Sequence, residues 1–209
     1  MSGVGGTALS KLLEAIREFQ AREDRRVDLK GLRAGIDSLE GEFAGEARDI
    51  QKSGDHLVNG NITAASWISR TCGMSVTSAA DRLCVGEQLE SLPRVAEALG
   101  SGEIGYQSAS VLSHLRDKLG DKRDLFNEEE MLELARKHSV ATLRYLCNYA
   151  HHIADPDGFF KEAEENHLRR RLHISLMSDG MHAIDGVLDP ECGAALKTAL
   201  DSLAKRMGP

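Results

Sequence analysis

Leu29, Ile36, Phe43, Ile50 and Leu57 recur at intervals of seven residues, with Leu32 and Leu39 at the intermediate positions. A seven-residue apolar repeat returns to the same side of an α-helix every two turns. The pattern therefore predicts a continuous helix over about residues 29–55 with a coiled-coil-like seam. The same stretch weakens that seam. Glu46 and Ser53 fall on intermediate positions, and each interior glycine costs about 1 kcal/mol relative to alanine. Gly31 and Gly35, and Gly41 and Gly45, stand four apart and leave two smooth patches where a neighbouring helix can approach. The expectation is an arm packed on its own domain, with self-dimerisation through the seam as the alternative.

The rest of the chain points the same way. Aromatic residues make up only 4% of the sequence and hydrophobic residues 41%, so the core must be built from Leu, Ile, Val and Ala, a composition suited to helix packing. Leu9, Leu12, Leu13, Ile16 and Phe19 mark a helix that fades into Arg22-Glu23-Asp24-Arg25-Arg26, and Gly-rich residues 1–7 read as disordered. After Asn59-Gly60-Asn61 the texture changes to short helices with sharp turns. Residues 1–61 thus read as a disordered start and helical arm, and 62–209 as a helical domain. Within it, Thr63 caps a helix to about Cys72, Gly73 ends it, and Ser75 or Thr77 caps the next through about Leu89. Pro93 opens another at about 92–99. Further helices follow over about 104–119, 127–138 and 140–154, the last capped by Ser139. Asp155-Pro156-Asp157-Gly158 reads as a turn before a short helix at about 159–168.

The apolar period then falls to two in Arg171-Leu172-His173-Ile174-Ser175-Leu176-Met177, as a half-buried strand requires. Met181 to Leu188 returns as its partner. A three-residue loop, Ser178-Asp179-Gly180, puts Ile174 opposite Ile184 and His173 opposite Asp185, whereas a two-residue loop would set Ile174 against Asp185. The apolar face so formed is expected to lie on a final helix, capped by Asp189, whose stripe includes Ala194, Ala195, Leu196, Ala199, Leu200 and Leu203. The fold class is mainly α: a multi-helix domain with one antiparallel β-hairpin (171–188) near the C-terminus and an N-terminal helical arm.

Three groups of residues are candidate sites. Residues 63–89 have the outline of a helix–turn–helix, with Ser75, Thr77, Ser78 and Arg82 placed for base contacts and Arg70 for a phosphate. The same outline also fits an ordinary packing hairpin, and Asp81 would repel phosphate. Arg169, Arg170 and Arg171 form a basic run suited to phosphate, or to a solvated helix end balanced by Glu162, Glu164 and Glu165. His151 and Asp155 share a helix face and are weak candidates for a divalent metal, which needs more ligands than these two. No metal site, cofactor or catalytic constellation is expected. The net charge of −7 argues against non-specific coating of nucleic acid. No apolar run reaches the roughly 20 residues of a membrane span, and no signal peptide is visible, so a cytoplasmic location is expected. Cys72, Cys84, Cys147 and Cys192 lie far apart and read as reduced, mostly buried thiols.

A distributed set of segments resembles the bacterial domain-of-unknown-function 222 family, also called the 13E12 repeat family. They are Ala64-Ala65-Ser66-Trp67-Ile68, Gly73-Met74-Ser75, Leu92 to Leu99, Gly102-Glu103-Ile104, Ala109-Ser110-Val111-Leu112, Asp155-Pro156-Asp157-Gly158, Asp179-Gly180-Met181 and Gly186 to Glu191. The resemblance implies a non-catalytic, DNA-associating domain ahead of an HNH endonuclease domain that this sequence does not contain. Its partners would be DNA and a nuclease part downstream or in trans. The alternative is a protein-interaction or self-assembly module, possible as a homodimer through the arm.

Overall fold

The helical periodicities resolve into ten α-helices and one β-hairpin among the described residues. A computed structural model of the chain describes residues 4–23, 26, 28–59 and 63–207. In order they form α1 (Val4–Ala21), α2 (Leu29–Ser53), a 3₁₀ turn (Asp55–Asn59), α3 (Ala64–Cys72), α4 (Val76–Leu89), α5 (Pro93–Gly100) and α6 (Tyr106–Lys118). A second 3₁₀ segment (Gly120–Leu125) leads to α7 (Glu128–Lys137), α8 (Val140–Ala154), α9 (Pro156–Leu168), β1 (Arg171–Leu176), β2 (His182–Val187) and α10 (Pro190–Met207). Gly60 and Asn61, where the texture of the sequence changes, and part of the charged run at 22–26 lie outside the described residues. The stretch expected to be disordered at 1–7 is helical from Val4 onward.

Side-chain caps set the helix starts. Thr63 Oγ1 accepts from Ser66 N at 3.2 Å, Ser75 Oγ from Ser78 N at 3.0 Å and Ser139 Oγ from Thr142 N at 3.3 Å. The expected turn at Asp155-Pro156 is instead the first turn of α9, with Pro156 at its N-terminus and Asp155 capping Gly158. Pro156 has no N–H to leave unpaired there, so the helix can begin at it. The start of α5 is closed by another helix: Glu128 Oε1 accepts from Arg94 N at 2.8 Å and Val95 N at 3.0 Å.

Helix α4 is central, packed by α2, α3 and α6. The main core gathers Val85 of α4, Val95 and Leu99 of α5, Leu112 and Leu115 of α6, Leu132 of α7 and Leu143 of α8. A second cluster sits between α3 and α4, with Ile68, Ala79 and Leu83, and Phe43 and Trp67 partly buried against it. Helix α2 of the arm docks on the domain as expected, not through the seven-residue seam but through small residues that include Gly41 of the expected smooth patches. Ala34, Ser38 and Gly41 meet the α5 region, and Ala44 and Ala47 enter the two clusters. Small residues let α2 come within backbone contact of its neighbours, which leucines would prevent. The leucine seam therefore points outward, with Leu29, Leu32, Ile36 and Leu39 all exposed.

The hairpin has the expected register, Ile174 opposite Ile184 and His173 opposite Asp185. Met177 N donates to Met181 O at 2.7 Å across the Ser178-Asp179-Gly180 loop, and Gly180 takes a φ of 85°, left-handed backbone open to a residue without Cβ. The expected packing is absent. Ile174 is 56% and Ile184 68% exposed, and Leu196, Leu200 and Leu203 of α10 are also exposed. The reason is placement: among the described residues α10 is tied at its root, through Asp189 and Cys192, and its stripe does not return over the two strands.

Candidate functional site

The α4–α6 interface carries a polar ladder where an all-helical core would normally place apolar side chains. Asp81, Cys84 and Gln88 on α4 face Tyr106, Ser110, His114 and Asp117 on α6. The spacings of three and four on both helices keep the two rows in register. At its centre the Asp81 carboxylate accepts three hydrogen bonds: from Tyr106 OH at 2.9 Å, Ser110 Oγ at 2.7 Å and His114 Nε2 at 2.9 Å. On the other side of the imidazole, Cys84 Sγ lies 3.5 Å from Nδ1. Gln88 extends the row, donating to Asp117 at 3.2 Å and accepting from Arg116 Nη1 at 2.6 Å.

The electrostatics follow from this arrangement. Burial alone would raise the Asp81 pKa, but the hydrogen bonds from His114, Ser110 and Tyr106 outweigh it and hold the carboxyl at about 2. The Asp81 bond, followed by the Cys84 contact, lifts His114 to about 10 against the desolvation that would lower it. Burial, and then the Asp81 charge, push the Tyr106 phenol upward. At neutral pH the site is a carboxylate–imidazolium pair with its phenol protonated and its thiol beside the ring. Next to it, Arg82 donates to Glu40 Oε2 from Nε at 3.1 Å and Nη2 at 2.8 Å and lies 5.2 Å above the Tyr106 ring, tying α4 to the arm. An open groove of about 710 Å³ beside these groups is lined by Arg33, Glu40, Arg82, Gln107 and Arg144.

The structure scatters the residues expected to touch DNA. Ser75 and Ser78 are joined in the N-cap of α4, and Thr77 is exposed on its first turn. Arg82 is held by Glu40 and the Ser78 carbonyl, on a helix enclosed by three others. Arg70 is exposed at the end of α3. Arg169, Arg170 and Arg171 follow α9 into β1; Arg170 Nη1 reaches Asp189 at 3.3 Å, and the other two have no acidic partner among the described residues. His151 and Asp155 have different bonding partners. His151 is buried beside Glu162, while Asp155 pairs with Lys122, whose hydrogen bond holds that carboxyl below the usual range. No group of three or more potential metal ligands gathers among the described residues. All four cysteines are free, but only Cys147 is buried: Cys72 is exposed, and Cys84 and Cys192 are half-buried. The expectation of mostly buried thiols is corrected accordingly, since helix ends and an interface edge leave three of them open to solvent.

The ladder was not singled out from the sequence, where Asp81 figured only as a group that repels phosphate. A usable signal exists in Tyr106, Ser110 and His114, which put hydrogen-bonding groups every fourth residue along one face of α6.

Large apolar side chains lie outside both cores. They include Leu9, Leu13, Ile16 and Phe19 on α1 and Leu29, Leu32, Ile36 and Leu39 on α2, besides those on the hairpin and α10. No helix among the described residues is long and apolar enough to cross a membrane.

The model of a family described as a domain of unknown function, DUF222, matches residues 23–209. No curated protein and no solved structure matches the chain.

Proposed function

We propose that this chain, which belongs to the DUF222 family of domains of unknown function, is a self-associating helical module whose arm presents the outward seam of α2 to a second copy. One observation carries the reading. The first half of the seven-residue repeat, Leu29 to Leu39, faces solvent, while the small-residue face fastens α2 to the domain and Phe43 packs on the second cluster. A repeat of this kind is self-complementary, because each seam residue fits between residues of an identical helix. The eight exposed side chains of α1 and α2 supply on the order of several hundred Å² of apolar surface per copy, approaching the ~800 Å² per partner of a standard interface once polar flanks are included. Sedimentation of the full chain tests the reading. A dimer that persists in high salt is expected, because apolar contact responds little to ionic strength. A monomer at all accessible concentrations refutes it.

A second reading is DNA association, with a nuclease part supplied downstream or in trans. Arg70, Arg169 and Arg171 favour it, being exposed and without acidic partners among the described residues. Binding of this kind weakens steeply as salt rises, which separates it from self-association. Absence of any DNA affinity in low salt removes this reading for the isolated chain.

A further inference from the structure

Cys84 is not an isolated thiol. Its Sγ lies 3.5 Å from His114 Nδ1, and the far nitrogen of the same ring is held by Asp81 at 2.9 Å. This is the order thiol, imidazolium, carboxylate, in which the third group orients the second and the charge of the second stabilises a thiolate on the first. Tyr106 and Ser110 fix the carboxylate in turn, so the hydrogen bond that holds the ring ends on an acceptor that is itself held in place. The thiol also has an approach. Cys84 is half-buried, the His114 side chain is 45% exposed, and Ala80 and Glu87, one turn to either side on α4, are both exposed. The charged groups linked to the sulfur are His114 on α6 and, through its ring, Asp81 on α4. The positive charge in contact with the sulfur belongs to His114.

The other cysteines lack this setting. Cys72 is more exposed, but among the described residues no imidazole hydrogen-bonds its sulfur. Cys147 is buried, which pushes its thiol up to about 11. Cys192 Sγ accepts a long 3.7 Å contact from Arg170 and lies beside the Asp189 carboxylate.

We infer that Cys84, activated by His114 and positioned by Asp81, is a covalent modification site that takes small disulfides by thiol–disulfide exchange. The Cys84 thiolate attacks one sulfur of the disulfide, the S–S bond of the small molecule breaks, and a mixed disulfide forms on Cys84. The departing thiolate takes up the proton that the Cys84 thiol released. Cys84 is oxidised and one half of the small disulfide is reduced, so no further oxidant is needed. The bulk added to Sγ displaces it from the ring and opens one rung of the α4–α6 ladder.

Oxidised glutathione added to the full chain at neutral pH, with site-resolved mass spectrometry over time, tests this. Cys84 should be modified ahead of Cys72 despite its lower exposure. His114→Gln should slow Cys84 by ~3–10-fold while Cys72 keeps its rate. Faster modification of Cys72 in the unmutated chain, or an unchanged Cys84 rate in folded His114→Gln, overturns the inference. Should circular dichroism show that variant unfolded, Asp81→Asn carries the test, because it frees the ring while keeping the side chain's size. A Cys84 rate equal to that of the unmutated chain in folded Asp81→Asn overturns the inference equally.

Discussion

Gly86 of α4 lies directly against the carbonyl oxygen of Ala44 in α2, so closely that a Cβ at residue 86 would collide with the α2 backbone. Two residues without bulk therefore set how near the arm and the central helix approach. Around this crossing the arm contributes Ala44 to the main core and Ala47 to the second cluster. The same closeness turns the leucine seam outward.

Gly86→Ala should destabilise the fold by about 2–3 kcal/mol, because backbone rather than a flexible side chain must yield. Alanine's better helix propensity, worth about 1 kcal/mol, works against this and is too small to reverse it. Chemical denaturation of the two proteins measures the difference.

Two substitutions on α2 should behave differently. Ile36→Asp, on the exposed seam, should convert a dimer to a folded monomer with little change in the unfolding profile of the monomer. Phe43→Asp, partly buried against the Ile68 and Leu83 cluster, should destabilise the chain whatever its oligomeric state, by at least about 2 kcal/mol. Sedimentation and denaturation together separate the outcomes.

The Asp81–His114 pair should shape stability against pH at both ends. His114 rises from 6.5 to about 10 on folding, so its contribution is full below pH 6.5, declines above that and is gone beyond pH 10. Asp81 falls from 3.8 to about 2, so its contribution is full above pH 3.8 and lost as pH falls through about 2. Between 3.8 and 6.5 both are complete. His114→Ala should then cost about 1–2 kcal/mol in that window, a figure reduced for the ring's partial exposure, and the difference from the unmutated chain should shrink steadily above pH 6.5. Denaturation curves across the range check the shape as well as the size.

Arg82→Ala should lower stability by about 1 kcal/mol through loss of the Glu40 bond, without changing DNA affinity. Arg169→Ala with Arg171→Ala should leave stability unchanged and reduce whatever DNA binding low salt reveals, along with its salt dependence. Equal loss of DNA affinity in Arg82→Ala would return that residue to the nucleic-acid surface.

Helix caps were legible in the sequence because their physics is local. Thr63, Ser75 and Ser139 each bond a backbone N–H three residues away, and Asp189 bonds Cys192 in the same way. The hairpin register follows from loop length and side-chain alternation within eighteen residues, 171–188, and it holds in the structure. Long-range geometry was not legible. Asp81 and His114 stand 33 residues apart, and nothing near either one shows that α4 and α6 will lie side by side. The seven-residue repeat likewise established a long helix in α2 but not which side would be buried. That was decided by Ala34, Gly41 and Ala44, which permit a closer approach to α4 and α5 than leucines allow. Local chemistry thus determined the elements and their ends, while the helix–helix contacts decided which faces remain for a partner, because close packing depends on the shapes of two surfaces at once.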